Sequence, residues 1–149
     1  MSRTRLIAAA WVIAAVALGS CGTTNAPKVS DAPAAKTIGG ALTADQIRSV
    51  VSGNTGYGQE ERFQWRTFYA PDGRLQGRHW GSWGEERDEG TWEITGNGQL
   101  CRQWTIKWGK RKRACFEVYK DGELIKLLNA DGNDDSFEMR VLSGNKVDG

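Results

Sequence analysis

The chain has 149 residues, with 20 Lys and Arg against 18 Asp and Glu, a formal net charge of +2, a single histidine and three cysteines. That length holds one domain. So even a charge balance lacks the basic footprint of a nucleic-acid binder, and Cys101, Cys115 and the distant His79 fall short of the four protein ligands of a structural zinc site.

Met1 to Arg5 carries Arg3 and Arg5, and Leu6 to Leu18 follows as 13 residues without a charge. A basic start, an apolar run and a small-residue exit are the layout of a bacterial export signal. The run is shorter than the roughly 20 apolar residues of a membrane span. At its exit, Leu18-Gly19-Ser20-Cys21 resembles the lipobox of bacterial lipoproteins. The resemblance implies a signal peptide over residues 1–20, diacylglycerol on the Cys21 sulfur, cleavage before it and N-acylation. Ordinary cleavage after Ala15-Val16-Ala17, leaving a soluble exported protein, is the alternative. Two or three acyl chains hold a protein durably on a membrane, whereas one does not. Gly22 after the acylated cysteine, by analogy with enterobacterial sorting, favours the outer membrane over the inner, facing the periplasm.

Loss of residues 1–20 removes Arg3 and Arg5 and leaves 18 basic against 18 acidic side chains, so any basic feature of the mature chain is local. Residues 21–36 are small and polar with two prolines, which reads as a flexible tether. Such a tether typically spans about 20 Å. Residues 37–149 are then a single β-rich domain.

The domain opens with one predicted helix, Leu42 to Gly53. Thr43 and Gln46 have capping-box spacing, Leu42 and Ile47 have staple spacing, and Ile47, Val50 and Val51 share a face. From Asn54 the period changes to 2. Asn54–Gly58, Phe63–Tyr69 and Arg74–Gly81 read as strands, with Pro71-Asp72-Gly73 as a turn. Ser82 to Glu89 reads as a polar, acidic loop holding Trp83. Gly90–Ile94, Leu100–Ile106, Ala114–Tyr119, Glu123–Leu128 and Phe137–Leu142 complete the strands, and the tail beyond Ser143 is polar. Seven or eight short strands with tight turns and no crossover helix predict a mainly β, antiparallel, up-and-down sheet. Closure into a small barrel, or a coiled sheet covered by the helix, would deal with its edges.

Pairing Cys101 with Cys115 places Leu100 opposite Phe116 and puts Leu100, Trp104 and Ile106 on one face with Phe116 and Val118. In an oxidising compartment the two cysteines form a structural disulfide. No C-x-x-C is present to make it a redox centre. His79 is the histidine any triad would need, and no nucleophile motif accompanies it. Glu85, Glu86, Asp88 and Glu89 could supply paired carboxylates, but they fall in the expected loop, where a solvated run is the simpler reading. Asp131, Asn133 and Asp135 alternate like calcium ligands, yet Ser136 and Leu142 stand where a calcium loop needs Gly and an acid. No catalytic residue, metal or cofactor is therefore assigned.

Two features suit binding. Lys110, Arg111, Lys112 and Arg113 lie at the tip of the disulfide hairpin beside Trp108, and suit either solvent or an anionic envelope component such as lipid headgroups, lipopolysaccharide phosphates or an acidic polysaccharide. Trp65, Trp92 and Trp104 suit a core, whereas Trp83 and Trp108 sit in polar contexts and suit an exposed platform for sugars or lipid tails.

The runs LTADQIRSVVSGNTGYG, FYAPDGRLQGR, GTWEI, LCRQW and ACFEVYKDGE, in that order over roughly residues 41–142, resemble a family of small exported proteobacterial proteins, domain of unknown function 995. The resemblance implies a bacterial envelope protein with a small β fold, and it carries no activity or site residue. Gly90-Thr91-Trp92 is also similar to the G-x-W of lipocalins, although there it belongs to the first strand and here it is mid-domain. The expectation is an envelope lipoprotein that binds a saccharide or lipid without catalysis. A structural or protein-interaction role, including inhibition of a cell-wall hydrolase, is the alternative.

Overall fold

Period-2 alternation runs through most of the domain, and each such run is a strand. The computed structural model describes residues 39–130 and 136–149. Its strands are β1 (Asn54–Gln59), β2 (Phe63–Tyr69), β3 (Arg74–Gly81), β4 (Gly84–Ile94), β5 (Leu100–Trp104), β6 (Arg113–Asp121), β7 (Leu124–Asn129) and β8 (Phe137–Ser143). Each pairs antiparallel with the next, and β8 pairs with β1, so the sheet closes as an up-and-down barrel. Closure leaves no unpaired edge. The segments expected to be an export signal and a tether, with Cys21, and residues 131–135, with Asp131, Asn133 and Asp135, lie outside the described residues.

The helix, α1 (Ala44–Val51), starts where its capping box says it should. Thr43 N donates to Gln46 Oε1 at 2.8 Å, and Gln46 N donates to Thr43 Oγ1 at 3.4 Å. Eight residues are too few to be a stable helix alone. Its apolar face supplies the stability, because Ile47 and Val51 are fully buried in the barrel core. Leu42 N donates to Val118 O at 2.7 Å, and Gly53 N donates to Tyr69 O at 2.8 Å. These bonds tie both helix ends to one end of the barrel, which the helix plugs. Against it pack Tyr69, Leu75, Trp92, Leu100, Phe116, Val118, Leu127 and Met139, one continuous apolar cluster. The buried Trp92 indole is satisfied by donating to Ala70 O at 2.8 Å.

Cys101 and Cys115 form the disulfide between β5 and β6, with Leu100 opposite Phe116 as the pairing requires. The expected faces follow, except that β5 ends at Trp104 and Ile106 is 54% exposed instead of continuing inward.

The acidic loop expected over Ser82 to Glu89 is instead strand. The turn shrinks to Ser82-Trp83 between paired Gly81 and Gly84, and β4 runs unbroken for 11 residues. Glu85, Glu86 and Asp88 there have partners that sequence spacing hides. Glu85 bonds Arg78 at 2.7 Å and Arg87 at 2.9 Å, and Glu86 lies 3.0 Å from His79.

The polar tail also has a place. Thr55 Oγ1 donates to Gly144 O at 2.7 Å and accepts from Lys146 N at 2.9 Å, while Arg66 Nη1 donates to Lys146 O at 2.8 Å. Val147 is thereby buried to 5% exposure. The tail crosses a row in which Arg66, Arg78 and Arg87 stand directly opposite one another. Such like-charge neighbours repel. Glu85, the tail carbonyls and the Trp80 ring, 5.4 Å from the Arg66 guanidinium and 5.0 Å from that of Arg78, offset the repulsion.

Candidate ligand site at the barrel mouth

An eight-stranded barrel is just wide enough for side chains to fill or for one small ligand to enter. Here both happen, at opposite ends. The end away from α1 is a cavity of about 330 Å³, lined by Glu60, Phe63, Trp65, Thr67, His79, Arg102, Trp104, Trp108, Ser136 and Phe137. A more open depression along the 59–63 hairpin and Trp83 adjoins it, sharing Glu60 and Phe63.

Alternation aims most of these residues inward: Phe63, Trp65 and Thr67 on β2, His79 on β3, Arg102 and Trp104 on β5, Phe137 on β8. Trp108 arrives differently, on the single 3-10 turn Trp108–Arg111 of the β5–β6 connection. Its ring folds into the mouth, stacks on His79 at 4.6 Å and meets Trp104 edge-on at 4.7 Å. Gly77 makes this possible, since any side chain there would collide with the rings of both tryptophans.

Asp88 holds that turn. Its carboxylate faces inward from β4, is 1% exposed, and accepts four backbone N–H groups. Oδ1 takes Glu89 N at 2.8 Å and Ile106 N at 2.9 Å, and Oδ2 takes Lys107 N at 2.9 Å and Trp108 N at 2.8 Å. Burial pushes this carboxyl upward, but the N–H groups of Lys107, Trp108, Ile106 and Glu89 together outweigh burial and hold it below the ordinary carboxylate value.

At the rim, His79 Nε2 lies 3.0 Å from Glu86 Oε2, and Lys107 Nζ reaches Glu86 Oε1 at 2.5 Å. The hydrogen bond from Lys107 holds the Glu86 carboxyl below its ordinary value against desolvation, and the charge of Lys107 and the neighbouring His79 add to it. Among the described residues no hydroxyl or thiol hydrogen-bonds His79, so the pair has no nucleophile beside it. The histidine's visible work is aromatic: besides Trp108 it meets Phe63 and Trp83 edge-on, each at 6.0 Å.

The cavity floor is cationic. Arg102 enters the barrel between Leu100 and Trp104, with its guanidinium carbon 4.4 Å from the Phe137 ring centroid, 5.0 Å from Phe116 and 6.0 Å from Trp104. Its Nη1 donates to Tyr69 Oη at 3.4 Å. Among the described residues it forms no ion pair, and its Nε, like Trp108 Nε1, is buried with no hydrogen-bond partner.

The residues singled out from sequence thus divide. Trp83 is exposed (52%) and sits at the rim beside Phe63 at 5.5 Å. Trp108 is no exposed platform, because its ring is drawn into the mouth. The basic run does not converge on one point. Arg113 bonds Glu93 on the outer wall at 2.5 Å, Arg111 donates back to Ile106 O at 2.8 Å, and Lys112 is exposed. Lys110 contributes its backbone to the 3-10 turn. Arg102, Trp65, Phe137 and Thr67 were missed as site residues. The signal for Arg102 was present: it shares the parity of Leu100 and Trp104, so the cysteine pairing already turns it inward.

No family model matches the chain, and no curated protein matches it either. The resemblance to the family of exported proteins rests on its motifs.

Proposed function

We propose that the protein is a non-catalytic binding module of the bacterial envelope, anchored by acylated Cys21, that holds one small lipid or saccharide in the barrel mouth. The observation that carries this reading is the cavity of about 330 Å³, walled by aromatic rings and floored by polar groups. That volume is within the range of ligand pockets, and aromatic rings share the lining with polar groups that can fix a ligand's orientation. Indole faces at the rim suit the apolar faces of sugars and acyl chains alike. Native mass spectrometry of the protein, extracted from its own membranes without reductant, tests the whole reading. The expected spectrum carries acylation at Cys21, the mass deficit of one disulfide and a discrete bound passenger. Thr67→Phe, which fills the cavity from its wall, is expected to lose the passenger and keep the disulfide. A passenger retained equally by Thr67→Phe would remove the cavity as its site.

A protein-interaction role is the second reading. Trp83 and Ile106, 52% and 54% exposed, are large apolar residues at the rim that a partner could cover. Crosslinking in cells that recovers one specific protein through the 82–83 turn, with no bound small molecule, would favour it.

A further inference from the structure

Resting on that reading, we infer that the cavity selects acids: its ligand carries a single anionic head, carboxylate in the simplest case, gripped by Arg102, with its apolar part toward the mouth. A guanidinium keeps its charge inside a protein. Left without a counter-charge in an interior, such a charge is strongly destabilising. Arg102 has aromatic faces around it and one hydroxyl at hydrogen-bond range, yet no carboxylate partner among the described residues. Aromatic faces attract a cation but leave its N–H edge free. The Arg102 terminal nitrogens have only the Tyr69 hydroxyl, at 3.4 Å, among the described residues, and a guanidinium fork is the geometry that takes a carboxylate through two parallel bonds.

The direction of entry follows from the register. Arg102 lies one inward position deeper than Trp104 on β5, against Tyr69 and Phe116 of the packed half. An acid therefore enters head first. Its head meets Arg102 with the Thr67 hydroxyl lining the same cavity, and its body lies between Trp65 and Trp108. The inward-facing Asp88, the nearest candidate counter-ion by strand position, is saturated by backbone N–H groups and takes no part.

The test uses the full folded chain with its disulfide and compares cis-parinaric acid with its methyl ester, read by energy transfer from the cavity tryptophans. The acid is expected to bind at least tenfold more tightly than the ester. Arg102→Met is expected to weaken the acid on the order of 30-fold, the usual loss when one partner of a buried charged pair is removed, and to leave the ester within about twofold. Arg102→Lys, which keeps the charge and loses the fork, falls between. In the ligand-free protein Arg102→Met is expected to melt at a higher temperature, which an arginine kept for structure would not allow. Equal binding of acid and ester, both lost in Thr67→Phe, overturns the selection of acids and leaves a binding module standing. Failure of both to bind overturns the inference, and it overturns the reading beneath it only when native mass spectrometry also finds no passenger. A ligand-free Arg102→Met that melts lower and still prefers the acid assigns Arg102 to the core and refutes the inference.

Discussion

Asp88→Asn is the substitution that most directly separates scaffold from site. The side chain is nearly isosteric, yet the carboxylate accepts two N–H groups on each oxygen. Whichever oxygen becomes NH2, two backbone donors then face another donor. An unsatisfied buried donor is destabilising by about 1–3 kcal/mol. The 105–108 turn lies near the surface and can shift toward water, so we take the lower end for both donors, about 2 kcal/mol in all. For a domain of this size that lowers the melting temperature by about 8 °C. Urea unfolding under non-reducing conditions measures the first quantity and a thermal melt the second. Near-ultraviolet circular dichroism reports the local consequence, because release of the turn separates Trp108 from His79 and Trp104. The pH dependence has a definite sign. The folded carboxyl titrates below its ordinary value, so its contribution is fully present above about pH 4, the value for an unfolded aspartate. It is lost as pH falls through the lower folded value. The difference between the two proteins should be flat from neutral pH to about 4 and shrink only in stronger acid. A variant within 0.5 kcal/mol of the parent, with an unchanged near-ultraviolet spectrum, would refute the assignment of Asp88 as anchor of the turn.

Removing the disulfide by Cys101→Ser with Cys115→Ser reopens a loop of about 15 residues and should lower stability by roughly 3 kcal/mol; a urea titration in which reduction of the parent reproduces that loss checks it. Gly77→Ala drives a methyl group into the Trp104 and Trp108 rings, and overpacking of this kind is destabilising by about 1–3 kcal/mol; the same titration together with a shift in tryptophan emission measures it. Truncation after Gly144 removes the buried Val147 and the Lys146 carbonyl that Arg66 donates to, and it uncovers Thr55. It should lower the melting temperature by several degrees, and an unchanged melt would show the tail to be incidental.

The fold was legible because its signals are local and redundant. The capping box, the staple and Gly53 each mark the same helix, and the cysteine pairing fixes the register of β5 against β6, from which the inward faces follow. Where a strand failed to show, charge hid it. In Glu85 to Glu89 an acidic run looks like a solvated loop until Arg78 is known to reach Glu85 diagonally across the strands and His79 to stand opposite Glu86. The site was less legible for a related reason. Trp108 looked like a surface residue among lysines and arginines, and only the buried carboxylate of Asp88, 20 positions earlier, turns its ring inward. No periodicity links those two positions. The docked tail was hidden too, because its contacts are backbone carbonyls and amides, which every polar tail possesses.

Two charged side chains of opposite sign face the barrel interior on neighbouring strands, Asp88 on β4 and Arg102 on β5, and they do not pair. Apolar interiors ordinarily neutralise such charges against each other, since an uncompensated buried ion is destabilising by several kcal/mol. Here the anion is neutralised by four backbone dipoles from its own strand and the 105–108 turn, and this consumes every strong acceptor position it has. The same four bonds fix Trp108 over His79 as part of the cavity wall. One carboxylate therefore builds the wall and, by being saturated, leaves the guanidinium on the floor without a counter-ion among the described residues. The coupling is testable with two variants. Asp88→Asn should weaken binding of both parinaric acid and its methyl ester, because the wall is lost for each. Arg102→Met should discriminate between them. An unselective loss in one variant and an acid-selective loss in the other would separate shape from charge, and a matched loss in both would assign Arg102 and Asp88 a common structural role.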